Sequence, residues 1–207
     1  LALGRTDTSE ASRQFDSRWL KRAGILGIPL AIFMVHGGTG VLFAVSKARP
    51  YWNSGLFPVI FIISALLSGA ALVMMLYVLR SWLFGGSVDR DLLGTLATLL
   101  AGFIIVDAAL TAIEALIAFT SLHPHEVETW VTVLTGPMSW SFWWFMVGAS
   151  WVFPMVLLSK RSWRRTPWLM VLAGLSVVVG VVAVRFNIVV PAQILPVLAE
   201  LPHGAYF

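Results

Sequence analysis

Cysteine is absent from all 207 residues, so by itself the chain cannot form a disulfide, a thiolate-held iron–sulfur cluster or a cysteine zinc site. Charge is scarce as well. Asp, Glu, Lys and Arg together make up 12% of the sequence, about half of what a water-exposed domain carries. Ser/His/Asp, phosphate-loop and dinucleotide signatures are missing, and no internal repeat or low-complexity tract breaks the chain. What fills the sequence instead is apolar: 58% hydrophobic residues and a mean hydropathy of +0.86. A fold in water would have to hide more apolar surface than a chain of this size can enclose, so lipid is the expected solvent.

Five apolar stretches, at about 24–45, 56–79, 92–120, 138–158 and 168–190, each reach the roughly 20 residues that a helix needs to cross a bilayer core. The predicted fold is an all-α integral membrane bundle of five spans over 24–190, with a lead-in at 1–23 and a tail at 191–207. Alternating the sides of the spans gathers the basic residues of 5–22, 80–90 and 160–165 on one face, leaving only Lys47 and Arg49 in loops opposite. The positive-inside rule makes the first face cytoplasmic, with the amino end inside and the carboxyl end outside. Glu126, Glu128, Glu200, His123, His125 and His203 fall outside. The predicted location is the cytoplasmic membrane of a prokaryote. Trp19, Trp82, Trp163 and Trp168 lie at inner span ends and Trp52, Trp130 and Trp140 at outer ones, as rings at headgroup depth should. The pI near 10.0 therefore marks sidedness and contact with anionic lipid at Lys160 to Arg165. The bases form no patch interleaved with aromatics, and no nucleic-acid partner is expected. The chain opens on Leu1 and a polar segment without a signal-peptide pattern, from which an upstream part beyond these residues is expected.

Within the connections, Gly85-Gly86 signals a turn, Asp89 or Asp91 is placed to cap the next helix, and His123-Pro124 argues against continuing the third span. Small residues recur every four positions on the second and third spans (Ser64 with Ser68, Ala65 with Gly69, Ala97 with Ala101, Thr98 with Gly102), which permits close helix approach in lipid.

Polar residues inside the spans are the candidates for chemistry. Asp107, Thr111 and Glu114 follow i, i+4, i+7 spacing and share one face, with Glu114 about 10 Å further along the axis than Asp107. An ionised carboxylate at mid-bilayer costs roughly 2.5–3.5 kcal/mol or more. Such acids serve a proton path, wall a quinone pocket, or stay neutral as hydrogen-bonding glue between helices. His36 stands mid-span in His36-Gly37-Gly38-Thr39-Gly40, where the glycines bare the backbone to another helix or a flat ring. It is either a helix-bridging hydrogen-bond group or a quinone or proton site. It cannot provide bis-histidine haem ligation, since the other three histidines lie in outer loops. Arg185 either snorkels to the outer interface or pairs with Glu114 or Asp107. His123 and His125 lack the spacing of a zinc motif.

The run from His36 to Gly69 resembles the membrane subunit family of polysulfide reductase, usually called NrfD-like. The likeness rests on Gly38 to Gly40, Arg49-Pro50 with Trp52, Pro58, and Ser64-Ala65 with Ser68-Gly69; Arg185, Asn187 and Gln193 resemble that family's last core helix. The resemblance implies an eight-span subunit of two four-helix bundles, of which these five would be the carboxy-terminal ones. It implies a subunit that exchanges electrons between menaquinone or ubiquinone and a peripheral ferredoxin-like iron–sulfur subunit, itself serving a catalytic subunit that is molybdopterin-dependent or cytochrome-linked. No haem or iron–sulfur cluster is expected in this chain. On that reading His36, Gly38 and Thr39 border the quinone, and Asp107, Thr111, Glu114, Arg185 and Asn187 line a proton path. Lys47, Arg49, Tyr51 and Trp52 would meet the partner. A proton-coupled transporter and a purely structural membrane anchor are the rival readings, although no inverted repeat supports the first.

Overall fold

A computed structural model describes residues 10–46, 50–121 and 124–194. All regular structure among them is helical. In chain order, α1 (Glu10–Ala31) passes through a π-helical stretch (Ile32–Gly37) into α2 (Gly38–Ala44), and a 3-10 turn (Pro50–Trp52) leads to α3 (Phe57–Phe84) and α4 (Arg90–Thr120). Next come α5 (Pro124–Thr135), a second π-helical stretch (Ser141–Val152) continuing as α6 (Phe153–Ser159), α7 (Arg161–Arg164) and α8 (Pro167–Ile194). Five helical runs are long and apolar enough to span a membrane: Trp19–Ala44, Phe57–Phe84, Arg90–Thr120, Ser141–Ser159 and Pro167–Ile194. The all-helical, five-span expectation therefore holds.

Local chemistry explains the ends. Gly85, in the left-handed region at φ 69°, closes α3, a conformation that a Cβ would resist. Asp89 caps α4 by accepting from the backbone N–H of Asp91 at 2.8 Å and of Leu92 at 3.3 Å, which satisfies donors that the first helical turn leaves free. Each π stretch lies beside a proline. Pro29 sits inside α1 just before the first, and Pro154 follows the second. At Pro154 the ring lacks the donor and crowds the Ser150 carbonyl inside the second stretch, and local widening of the helix relieves that crowding. The Phe153 N–H accordingly donates to the Gly148 carbonyl, five residues back. Pro29 would crowd the carbonyl of Ile25, upstream of the first stretch, and does not account for it.

The short helix that the sequence offers over 9–22 is present from Glu10, and it runs unbroken into the first span. The structure departs from the sequence expectation after the third span, where the connection contains α5, whose Thr129, Trp130 and Val133 are buried at helical spacing.

The spans pack around two apolar cores stacked along the bundle. One, toward the basic end, joins residues such as Met74, Leu100, Leu158 and Val177. The other, toward the α5 end, is aromatic, with Tyr51, Phe57, Phe61, Trp130 and Phe142 among its members. The buried stripe of α4 connects them: Leu93, Ala97, Leu100 and Ile104 belong to the first core and Ala118 to the second, with Asp107, Thr111 and Glu114 between. The close helix approaches fall elsewhere than the four-residue repeats predict. Gly69 and Gly102 face open space, whereas a Cβ on Gly180 would lie 2.4 Å from Cβ of Ser150. Glycine at 180 lets α8 meet the π-helical span backbone to backbone.

Candidate functional site: a polar layer between two cores

At the seam between the cores the bundle turns polar. Ser64 of α3, Asp107 and Thr111 of α4, and Ser150 of the π-helical span are all buried, and Arg185 of α8 is half-buried. Asp107 is 1% exposed and accepts a hydrogen bond from the Trp151 indole N–H at 3.0 Å. The Thr111 hydroxyl donates to the Asp107 carbonyl at 3.0 Å, which spends its proton inside the helix. Glu114, also buried, accepts from the Ser54 hydroxyl at 2.9 Å, so the loop before α3 reaches down onto α4. Asn187 is buried and its amide N–H donates to the Met146 sulfur at 3.7 Å.

Arg185 is half-buried within the bundle. Its guanidinium lies 3.9 Å from the centre of the Phe61 ring and donates weakly to the Ser64 hydroxyl at 3.5 Å. Among the described residues no salt bridge joins it to Asp107 or Glu114, although Asp107 is near enough to interact electrostatically. One guanidinium nitrogen is buried without a partner. A cation over an aromatic face is attracted by the ring, which gives Arg185 a partner inside the bundle.

Two pockets meet at Glu114. The inner one is lined by Thr111, Glu114, Trp130, Met146 and Asn187 and holds about 30 Å³ of free space, room for about one or two waters. The outer one, of about 450 Å³, runs from Glu114 past Ser54 and Trp130 to Asn53, Ser121 and Glu126. Trp130 borders both, and its indole nitrogen is buried without a hydrogen-bond partner. Asp107 lines neither pocket. Tyr51 borders both too. Burial, reinforced by the nearby Glu114 carboxyl, pushes its phenol above the ordinary tyrosine range, so Tyr51 stays neutral at any physiological pH.

The predicted residues thus separate into three groups. Thr111, Glu114 and Asn187 share one pocket, and Asp107 and Arg185 lie in the same layer. His36, Gly38 and Thr39 sit apart on the first span and line none of these pockets. Of the loop group, Lys47 and Arg49 lie outside the described residues, as does His123. Tyr51 and Trp52, expected at a partner surface, are engaged in the chain's own packing: Tyr51 is edge-on to Phe57 and Trp130, and Trp52 donates to the Ile188 carbonyl at 2.8 Å. Trp151 and Ser54, which hold the two acids, are not among the residues that sequence reasoning finds. Trp151 carries a signal nonetheless, as a tryptophan in mid-span rather than at headgroup depth.

A helical bundle of five membrane-length spans that buries two carboxylates and holds a half-buried arginine between them and an aromatic core is an integral membrane protein. The chain belongs to the polysulphide reductase NrfD family, whose model matches residues 9–197. It is 44% identical to a selenate reductase subunit of Mesobacillus selenatarsenatis over 188 residues, 90% of this chain and 43% of that one. It is 27% identical to an Hdr-like menaquinol oxidoreductase integral membrane subunit of Archaeoglobus fulgidus, over 81% of this chain and 43% of the relative. A putative dimethyl sulfoxide reductase membrane subunit of Halobacterium salinarum is 28% identical, over 83% of this chain and 39% of the relative. The chain thus spans about two fifths of the length of the curated relatives it matches.

Proposed function

We propose that this chain is the quinone-interacting part of a membrane subunit in a prokaryotic respiratory oxidoreductase, exchanging electrons between the quinone pool and a peripheral iron–sulfur subunit while protons pass through the polar layer. Family membership and the names of the relatives, one a menaquinol oxidoreductase subunit and two subunits of reductases, support the complex. The division of labour rests on the inner pocket, whose free space beside Thr111, Glu114 and Asn187 is about 30 Å³, enough for water and far too little for a quinone ring. The pocket of about 450 Å³ on the other side of Glu114 is read as its route to the outer side.

The quinone is assigned to the first span on the chemistry of His36 and Gly38. Nδ1 of His36 is buried with no hydrogen-bond partner among the described residues, and a Cβ added at Gly38 would meet nothing within 4 Å. An unpaired imidazole nitrogen beside a bare stretch of backbone fits the carbonyl edge of a flat ring. A bound quinone supplies two-electron, two-proton chemistry. His36 would hold a proton at Nδ1 or accept one there, and Gly38 would leave room for the ring. Thr39, whose hydroxyl donates to the Val35 carbonyl at 2.6 Å, would fix the helix beside them. Glu114, served by the outer pocket, would take protons from or release them to the outer side, and Asp107 would hold a proton deeper in. Lys47 and Arg49 would meet the iron–sulfur partner.

Single replacements of His36, Asp107 and Glu114 in the assembled complex, read by quinol-linked electron transfer, test the reading against its rivals. Turnover is expected to fall at least about a hundredfold, the lower range for loss of a general acid–base, with all subunits still assembled. Unaffected electron transfer with lost solute uptake would make the chain a transporter subunit, and lost assembly alone would make it an anchor.

A further inference from the structure

A large cavity lies away from the polar layer, at the basic end of the bundle. It is a groove of about 1070 Å³ between the first half of α4 and the α6–α7 corner, at the upper end of the range for ligand sites, about 300–1,000 Å³. Its two ends differ in chemistry. Along α4 it is floored by Gly94, Thr98, Leu99, Gly102 and Val106, a shallow apolar channel, and at its mouth stand Arg161, Arg164 and Arg165.

The mouth is built rather than merely basic. Arg164 is fixed from two sides, donating to the Leu158 carbonyl and to the Thr98 hydroxyl at 3.2 Å. Arg165 is held by Asp91 at 2.5 Å, and Arg161 is exposed. Asp91 is the single carboxylate lining the groove against three arginines, which leaves an excess of two positive charges at the membrane surface. The channel is open because of two glycines: a Cβ on Gly94 or Gly102 would meet nothing within 4 Å. These two positions therefore leave space along α4 instead of bringing another helix of this chain close.

We infer that this groove binds one anionic phospholipid, its phosphate held by Arg161, Arg164 and Arg165 and an acyl chain lying along α4 over Gly94, Thr98 and Gly102. Charge complementarity selects this occupant. Basic clusters just beyond span ends attract anionic headgroups, and the apolar channel continues from the headgroup toward the bilayer interior, as an acyl chain does. A transmembrane helix of another subunit would fill the channel but leave the arginines uncompensated.

The test uses the intact complex, purified in mild detergent and then titrated with cardiolipin or phosphatidylglycerol against phosphatidylcholine, with bound lipid counted by native mass spectrometry. Anionic lipid is expected to be retained in preference to phosphatidylcholine. Arg161→Gln should weaken that retention about fivefold, the worth of one surface arginine. Gly102→Leu, whose side chain enters open space, should block the channel and lower retention without loss of folding. Arg80→Gln, exposed and outside the groove, should change nothing. Equal retention in the wild type and both groove variants would overturn the proposal. So would loss of another subunit from Gly102→Leu with bound lipid unchanged, which would assign the groove to a protein helix.

Discussion

Asp107 persists at 1% exposure in the middle of an apolar helix because Trp151 gives it a donor that lipid cannot. A hydrogen bond between membrane helices is worth about 0.6 kcal/mol on average and rarely above about 1.7, so it orients the carboxyl more than it stabilises the bundle. Trp151→Phe is therefore expected to lower the unfolding temperature of the purified complex by only a few degrees while cutting quinol-linked turnover severalfold. A large loss of stability with unaltered turnover per folded complex would instead mark the pair as packing. The acids and their common face are legible from sequence because i, i+4, i+7 spacing needs nothing but helix geometry. Trp151 is not, since it lies 44 residues away and meets Asp107 only through the way two spans cross. For Arg185 the sequence poses a choice between lipid and bundle, but the Phe61 ring it meets comes from another span.

At the scale of elements, α8 comes closest to its neighbours at two glycines, Gly174 beside the Ala71 carbonyl of α3 and Gly180 beside Ser150 of the π-helical span, the second being the tighter. A side chain at 180 would drive into the backbone of Ser150, and overpacking of this kind costs about 1–3 kcal/mol. Gly180→Val should separate α8 from the π-helical span and leave the chain poorly assembled and protease-sensitive. Gly69→Ala and Gly102→Ala, at positions facing open space, should be silent in the same assay. Equal behaviour of the three variants would refute the packing argument. Sequence spacing predicts close approach on the second and third spans because small residues do recur there. It does not identify which of them face a neighbour, a distinction set by the rotation of each helix in the bundle. The helix ends are legible, Gly85 and Asp89 doing what their backbone chemistry dictates. The π-helical stretches are not, although Pro154 marks where to look for the second.

For the whole molecule, the asymmetry of charge predicts a testable orientation. The basic end, with Arg80, Lys160 and Arg161, is assigned to the cytoplasm by the positive-inside rule, and the end holding α5 and the outer pocket to the opposite side. Because these 207 residues hold no cysteine, a single introduced cysteine adds one labelling site whose signal is read against the unsubstituted protein. Ser87→Cys, in the exposed turn between α3 and α4, should react with a membrane-impermeant maleimide only after the cytoplasmic face is opened. Asn53→Cys, exposed before α3, should react in intact cells. The reverse pattern would invert the proposed direction of the proton route. The five-span count and membrane class are legible from hydropathy alone, while the stacking of two cores with a polar seam between them emerges only when all five spans are placed together.

That seam is the centre of the account, and proton movement during turnover probes it most directly. The complex, reconstituted into liposomes with a trapped pH indicator and driven by quinol, should move protons in the wild type. Asp107→Asn and Glu114→Gln should lose that signal while the catalytic subunit keeps its activity with a soluble electron donor. A wild type without a proton signal, or full proton movement in both variants, would contradict a proton-carrying role for the buried carboxylates.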